Sequence, residues 1–329
     1  MAHTTKTSIA AAFAALTLSS AAAHAQDFPS KHVTMVMPYA AGGPGDTIAR
    51  IVGQGMSNAF KTQQIIIENT AGAGGTVGSA RVAAAQPDGH TLLLIHVSAA
   101  TNPALYPNLK YDQTKDFEPV GLVVELPSAF VAKKAFPATN FSEFVAYVKA
   151  NKDKVNYAHA GIGSASHLCG LLFSAAIDTK FTQVAYRGTG PVMNDLIGGQ
   201  VDFTCDQAVN VVSNVSAGAI KGYAVTSKTK AAALPDLPTA EQSGLKGFDL
   251  SIWYGLWAPK GTPKPVVDKL VSTLQAALAD PAVKDKLATL GATTVAKERA
   301  TPSALDAHLK AEIAKWGPVI KNAGVTAAQ

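Results

Sequence analysis

The sequence predicts an α/β protein built as two doubly wound lobes with a cleft between them. Three observations predict it. Short apolar runs alternate with amphipathic stretches from Val33 to near Trp257, which is the rhythm of βα units. That rhythm restarts after Lys110, dividing it between two lobes. Gly-rich loops recur where a strand gives way to a helix, two in each lobe. The 329 residues are 47% hydrophobic and 16% charged, enough for a sizeable core and wrong for a disordered chain. Aperiodic glycines exclude a collagen, and two cysteines exclude a disulfide scaffold.

Residues 1–25 read as a signal peptide. Lys6 gives a positive start, residues 9–18 are apolar, and Ala23-His24-Ala25 is a small-x-small site with cleavage after Ala25. The apolar stretch falls short of the ~20 residues a membrane span needs, and no later one is long enough. Residues 32–37 form the first strand. The loop Ala40-Ala-Gly-Gly-Pro-Gly45 leads to Asp46, a good N-cap for a helix to about Phe60, where Ile48, Ile51, Val52 and Met56 share a face. Residues 64–68 are the second strand, Gly72 to Gly75 the loop into a helix over about 76–85, and Pro87-Asp-Gly89 a turn before a third strand at 91–95.

Beyond Lys110, residues 120–124 and 128–131 read as two strands, and Ser142 caps a helix through Ala150. A strand at 155–158, the loop Gly161 to Ser166 and a helix to about Ile177 follow. A strand at 182–186 then meets Gly188-Thr-Gly-Pro191 and a helix to Ile197. Strands at 201–205 and 222–226 complete the set, with helices from Pro265 and over 302–316. The chain is expected to cross between lobes near 120–131 and 220–226. The first lobe is therefore placed at 26–123 and 228–329, the second at 124–227. Trp253 and Tyr254 read as core or hinge packing, with stacking on an aromatic cargo as the alternative.

Function classes fall by composition. The net charge of +5 is mild, and basic residues occur singly or in pairs such as Lys133-Lys134, so nucleic acid is not an expected partner. Cys169 and Cys205 would meet an oxidising compartment after export. A bridge would close a loop of about 37 residues and stabilise by roughly 3–4 kcal/mol, and two separate buried thiols are the alternative.

Motifs decide more. Glycine lets a backbone approach a ligand, and a helix N-terminus attracts anions, so four Gly-rich loops at strand C-termini point to an anion cleft. Gly72-Ala-Gly-Gly-Thr-Val77 and Gly161-Ile-Gly-Ser-Ala-Ser166 both lack the final glycine of a dinucleotide fingerprint, and no Gly-Lys-Ser/Thr follows any loop. No cofactor is expected. There is no HExxH, and His159 and His167 lack companions at metal-ligand spacing. No G-x-S-x-G elbow exists; Ser166, His167 and Asp206 are a candidate hydrolytic set, with Ser166 more simply an N-cap, and Ser227-Lys-Thr-Lys230 matches S-x-x-K by letter but lacks its partner motifs.

The loops and their order closely resemble the Bug family of extracytoplasmic receptors, the substrate-binding proteins of tripartite tricarboxylate transporters. The resemblance is carried by Phe28-Pro-Ser-Lys31, Tyr39-Ala-Ala-Gly-Gly-Pro-Gly-Asp46, Glu68-Asn69, Gly72-Ala-Gly-Gly75, Pro87-Asp-Gly89, and Asn102-Pro-Ala-Leu-Tyr106. It continues through Gly161 to His167, Tyr186-Arg-Gly-Thr-Gly-Pro191, Gly199-Gln-Val-Asp202, Leu234-Pro-Asp-Leu-Pro-Thr239 and Trp257-Ala-Pro-Lys-Gly-Thr-Pro263. It implies a type II periplasmic-binding-protein architecture, a small organic mono- or dicarboxylate as cargo, and delivery to a membrane transporter by cleft closure. A monomer without enzymatic activity is implied. A sensing subunit for a membrane signalling protein is the alternative partner role, and an exported Ser/His hydrolase the alternative class.

Carried over by position, the resemblance assigns the first wall to Tyr39, Gly42, Gly43, Asp46, Gly74 and Gly75, with Ser98 and Asn102 beside them. It assigns the second wall to Gly163, Ser164, Ser166, His167, Arg187, Gly188 and Asp206. The family usually carries Phe at the position of Tyr39.

Overall fold

The computed structural model describes residues 28–327, so the expected signal peptide lies outside the described residues. β1 (Val33–Met37) is flanked by β2 (Ile65–Asn69) and β3 (Thr91–His96), all parallel. Between β1 and β2 runs α1 (Pro44–Phe60), which buries Ile48, Ala49, Val52 and Met56; α2 (Thr76–Ala83) joins β2 to β3. Helix α3 (Ser98–Leu105), with Pro103 inside it, then carries the chain away from β3.

The two strands expected at 120–124 and 128–131 are one, β4 (Phe117–Lys133). Pro127 punctuates the sequence, but it sits where pairing changes sides. Pro127 faces Ser251 of β9 (Ser251–Pro259), while Ser128 faces Gln207 of β7 (Phe203–Gln207). A residue without an N–H is tolerated there because the ladder is changing partner.

After β4 come α4 (Phe141–Ala150), β5 (Asn156–His159), α5 (Ala165–Ala176), β6 (Thr182–Ala185), α6 (Thr189–Ile197) and β7. α7 (Ala208–Ser216) and β8 (Ile220–Val225) follow, then β9, α8 (Lys264–Ala279), α9 (Pro281–Thr289), β10 (Thr293–Thr294) and α10 (Pro302–Ala323).

The strand order is β2-β1-β3-β9-β4-β7-β5-β6, with β8 and β10 also on β4. The α/β class holds, and its flanks are parallel as expected. The centre differs: β9 is antiparallel to both β3 and β4, and β4 is antiparallel to β7 and β8. A chain that passes from one half to the other and returns must lay its crossing strands in opposite directions. The halves are also packed differently. β1 and β3 themselves supply Val33, Met35, Val36, Met37 and Leu92 to Ile95, whereas Phe144 in the second half meets Phe130, Phe136, Phe173, Phe203 and Tyr223 with ring centroids 4.8–6.1 Å apart.

Three helix starts are corrected. α1 has Gly43 as N-cap, with Pro44 first in the helix and Asp46 inside the first turn. α4 is capped by Asn140, whose side chain accepts from Glu143 N–H, and not by Ser142. α5 is capped by Ser164, which accepts from His167 N–H, and not by Ser166. In α4 and α5 the capping oxygen lies three residues before its donor, which selects one residue from several of suitable type, whereas α1 has no side-chain cap. Cys169 and Cys205 are bridged, with Cα atoms 6.0 Å apart, so α5 is tied to β7.

Candidate functional site

The strand C-termini of both halves open on one cleft with two connected parts. The inner chamber, about 30 Å³, is lined by Tyr39, Gly43 to Gly45, His96, Ala160, Ser164 to Ser166, Gly188, Thr189, Asp206, Gln207 and Tyr254. The outer cleft, about 470 Å³, runs over the loop Ala71 to Gly75, Tyr106, Gly161, Ile162 and Tyr186 to Gly188.

The chamber is built from helix starts. α1, α5 and α6 all begin at its wall, and neither Gly43 nor Gly188 caps its helix with a side chain. Their first-turn N–H groups lack side-chain caps, and three macrodipoles place positive potential at one point. No Lys or Arg lines it.

The floor comes from strand ends. His96 ends β3 and is 3% exposed. Its Nδ1 accepts from Ser98 N–H at 3.1 Å, so the ring proton resides on Nε2. Tyr39 stacks on it at 4.6 Å, and Tyr254 meets it edge-on at 5.5 Å. Burial pushes His96 down to about 3, which keeps it neutral. Tyr254 donates to Gln207 Oε1 at 2.9 Å, leaving the Gln207 amide nitrogen for the chamber. Asp206, 2% exposed, accepts from Gln207 N–H at 2.8 Å and from Asn210 Nδ2 at 2.7 Å. Burial pushes its carboxyl up to about 6. The chamber thus offers donors from every side and one acidic acceptor.

The residues expected from the sequence divide by place. Tyr39, Gly43, Ser164, Ser166, Gly188 and Asp206 line the chamber, and Gly74, Gly75 and Arg187 line the outer cleft with Tyr39 and Gly188. Arg187 is exposed, lines the outer cleft and forms no salt bridge among the described residues.

The others stand behind the walls. Asp46 accepts from Gly42 N–H at 2.9 Å and from Arg50 Nε at 3.0 Å, bracing the loop instead of facing the cleft. Partial burial would raise its pKa, but Arg50 and the Gly42 N–H outweigh that and hold it low. Gly42 is spent in the same brace. Ser98 is fully buried beneath Tyr39, its Oγ 2.6 Å from the Tyr39 hydroxyl. Asn102 is fully buried and donates to the Gly74 carbonyl at 3.1 Å, because α3 turns it inward.

Gly163 donates to His167 Nδ1 at 3.3 Å, which ties the Gly161 to Ser166 loop to the first turn of α5, and neither residue lines the chamber or the outer cleft. That bond also separates the hydrolytic set. Ser166 Oγ accepts from Ala160 N–H at 3.0 Å and lies 3.1 Å from Ser164 Oγ, while the Asp206 carboxylate is held by Gln207 and Asn210. No Ser166–His167–Asp206 relay exists, as a nucleophile would require.

His96, Gln207 and Tyr254 are site residues that sequence reasoning missed. His96 carried a usable signal, since it is the last residue of a strand whose C-terminal end faces the cleft. Gln207 ends β7 as His96 ends β3 and carried the same signal, whereas Tyr254 lies inside β9 and offered only packing or a stacking platform for an aromatic cargo.

Comparison with known proteins gives the same picture from another direction. Residues 48–325 match the model of the tripartite tricarboxylate transporter family receptor. A protein of Agrobacterium vitis, described as a UPF0065 protein in the TAR-I ttuE-ttuC' intergenic region, is 48% identical over 303 residues, covering 92% of this chain and 87% of its own. The structure of the periplasmic binding protein BugD superposes with a TM-score of 0.87 at 47% identity, covering 91% of this chain and 99% of that one. MatC of Rhodopseudomonas palustris, solved with bound malate, gives 0.85 at 42% identity over 89% of this chain and all of its own. With fold, cleft and family model in agreement over nearly the whole described chain, this protein belongs to the tripartite tricarboxylate transporter receptors, a family of periplasmic solute-binding proteins.

Proposed function

We propose that this chain is an exported receptor that binds one small organic carboxylate in the cleft and delivers it to a tripartite-type membrane transporter. The single observation that carries the reading is the convergence of three helix N-termini, from both halves, on a chamber without a cationic side chain. Fixed dipoles and neutral donors suit an anion, and donors from both halves reward closure by their additional contacts with it. The malate in MatC is a small carboxylate held by a related chain.

In this reading residues 26–123 with 228–329 form one lobe and 124–227 the other, hinged on the crossing segments. Tyr39, Gly43 and the Ser164 to Ser166 turn hold the anionic end, Asp206 accepts from a hydroxyl or ammonium group on the cargo, and Gly74, Gly75, Arg187 and Gly188 follow its outer part. The mature chain begins after Ala25, works in the periplasm as a monomer, and makes or breaks no bond.

A thermal-shift screen tests this. Protein freed of copurified ligand by unfolding and refolding with its disulfide intact is heated with aliphatic and aromatic carboxylates. Ligand at ~100 times Kd adds ~2.7 kcal/mol, which is several degrees. One or two strong hits are expected, and a flat response to every acid contradicts the reading.

A further inference from the structure

We infer that His96 is the specificity-determining donor of the receptor: its Nε2–H fixes one oxygen of the cargo's inner carboxylate and so requires an acceptor at that end. The inference rests on the carboxylate reading of the cleft and deepens it. Three features of the residue point the same way.

The first is place. His96 is the terminal residue of β3, lines the inner chamber, and stands among the starts of α1, α5 and α6. The second is tautomer. Ser98 N–H occupies Nδ1, so Nε2 carries the proton and can only donate. No protein acceptor for Nε2 is found among the described residues, although the ring lines the cavity. The third is rigidity. The ring is held face-on by Tyr39 at 4.6 Å and edge-on by Tyr254 at 5.5 Å, and both partners are themselves tied down. Tyr39 reaches Ser98 Oγ and the Gly74 carbonyl, and Tyr254 reaches Gln207. A buried donor fixed this way loses little entropy when it bonds, and it penalises a cargo that presents another donor.

A neutral donor also explains how the chamber can be selective without a cation. Dipoles at helix ends attract any anion, and they discriminate poorly among its shapes. A single directed N–H sets where one oxygen must be. Burial leaves His96 uncharged, so this bond does not depend on a protonated imidazole.

The test uses the full mature chain with acetate, benzoate, succinate, L-malate and adipate as probes, titrated calorimetrically. His96→Phe keeps an aromatic ring for the stack and removes the donor. It should weaken the best probe about 10- to 100-fold, whereas His96→Gln, which retains an N–H donor, should recover most of the affinity. In wild-type protein, nitrogen-15 spectra of the histidines should show His96 as the Nε2–H tautomer before and after ligand, with the Nε2–H proton moved downfield by the bound probe. That reading needs no variant and would not move if the residue served packing alone.

Wild-type binding that His96→Phe leaves unchanged, or an Nε2–H signal indifferent to ligand, overturns the inference and spares the carboxylate reading. Failure of wild-type protein to bind any of the five probes overturns both.

Discussion

The inner chamber and the outer cleft share Tyr39, Ala40, Ala160 and Gly188, yet they are made of different material. The chamber is small, is walled by helix starts and buried side chains, and contains Asp206 as its one acidic group. The outer cleft has roughly fifteen times the room and is lined largely by alanine, glycine and tyrosine, with Arg187 as its one charge. In the chamber every polar group has a fixed direction, set by His96, Gln207 and the three helices. In the outer cleft most polar groups belong to the backbone. The two parts divide the labour of recognition. The inner part decides what the cargo's anionic end must be, and the outer part sets how much of the remaining molecule fits.

The sharpest way to break that division is to keep the two walls of the outer cleft apart. Gly74 has φ +62°, and a Cβ there would stand 2.5 Å from the Tyr106 hydroxyl and 2.8 Å from the Ile162 carbonyl of the opposing loop. The Tyr106 hydroxyl donates to that same carbonyl at 3.1 Å, joining the walls. Gly74→Ala should therefore disfavour closure; if the closed population falls to about 1%, apparent affinity drops ~100-fold. Solution scattering of the ligand-saturated variant should show a more open particle, and an unchanged Kd would show that the outer walls need not meet.

The inner part answers to Asp206. Asp206 has its carboxyl pushed up to about 6 by burial, above the ordinary value of 3.8 that it takes when unfolded. The folded state therefore binds more protons between those values, and stability falls as pH rises through that window. Asp206→Asn should raise stability by about 1–3 kcal/mol at pH 8, with the gain vanishing near pH 4, while weakening any cargo that donates to the carboxylate. Chemical denaturation at the two pH values reads the first effect. A variant that loses stability at pH 8 would show that the carboxylate is satisfied as it stands.

The smallest effect belongs to the outer charge. Arg187 is exposed, so water and salt screen it. Arg187→Ala should cost about 0.2–1 kcal/mol of binding, an effect that fades in high salt. A loss above tenfold that persists in salt would move Arg187 into the inner, desolvated part of the site.

Much of this was legible in the sequence, and the part that was not has a common cause. The βα units of both halves announce themselves through local apolar patterns and glycines, so the Gly43, Gly74, Gly161 and Gly188 loops could be placed on the cleft before any fold was known. β9 was not read as a strand: β3 is as buried but is a plain aliphatic block, whereas β9 is interrupted by Gly255 and carries Trp253, Tyr254 and Trp257 without alternation. β4 was divided in two because Pro127 looks like a stop until its change of partner is seen. The meeting of the chamber-floor residues was hidden for the same reason. His96, Gln207 and Tyr254 lie 47 to 158 residues apart along the chain and become neighbours only through the order β3, β9, β4, β7. Ser98 and Asn102 were misplaced because α3, which lacks any sequence cap, turns them into the core.

On this reading the inner chamber requires a carboxylate. Its most direct test is the affinity of one dicarboxylate beside its monoamide and its diamide: succinate, succinamate and succinamide, or the same series built on the best hit of the screen. The monoamide keeps one anionic end and should bind within about tenfold of the diacid, whereas the diamide should lose at least about 100-fold, since it offers the helix ends and His96 no charge. A diamide that binds as tightly as the diacid would contradict the account.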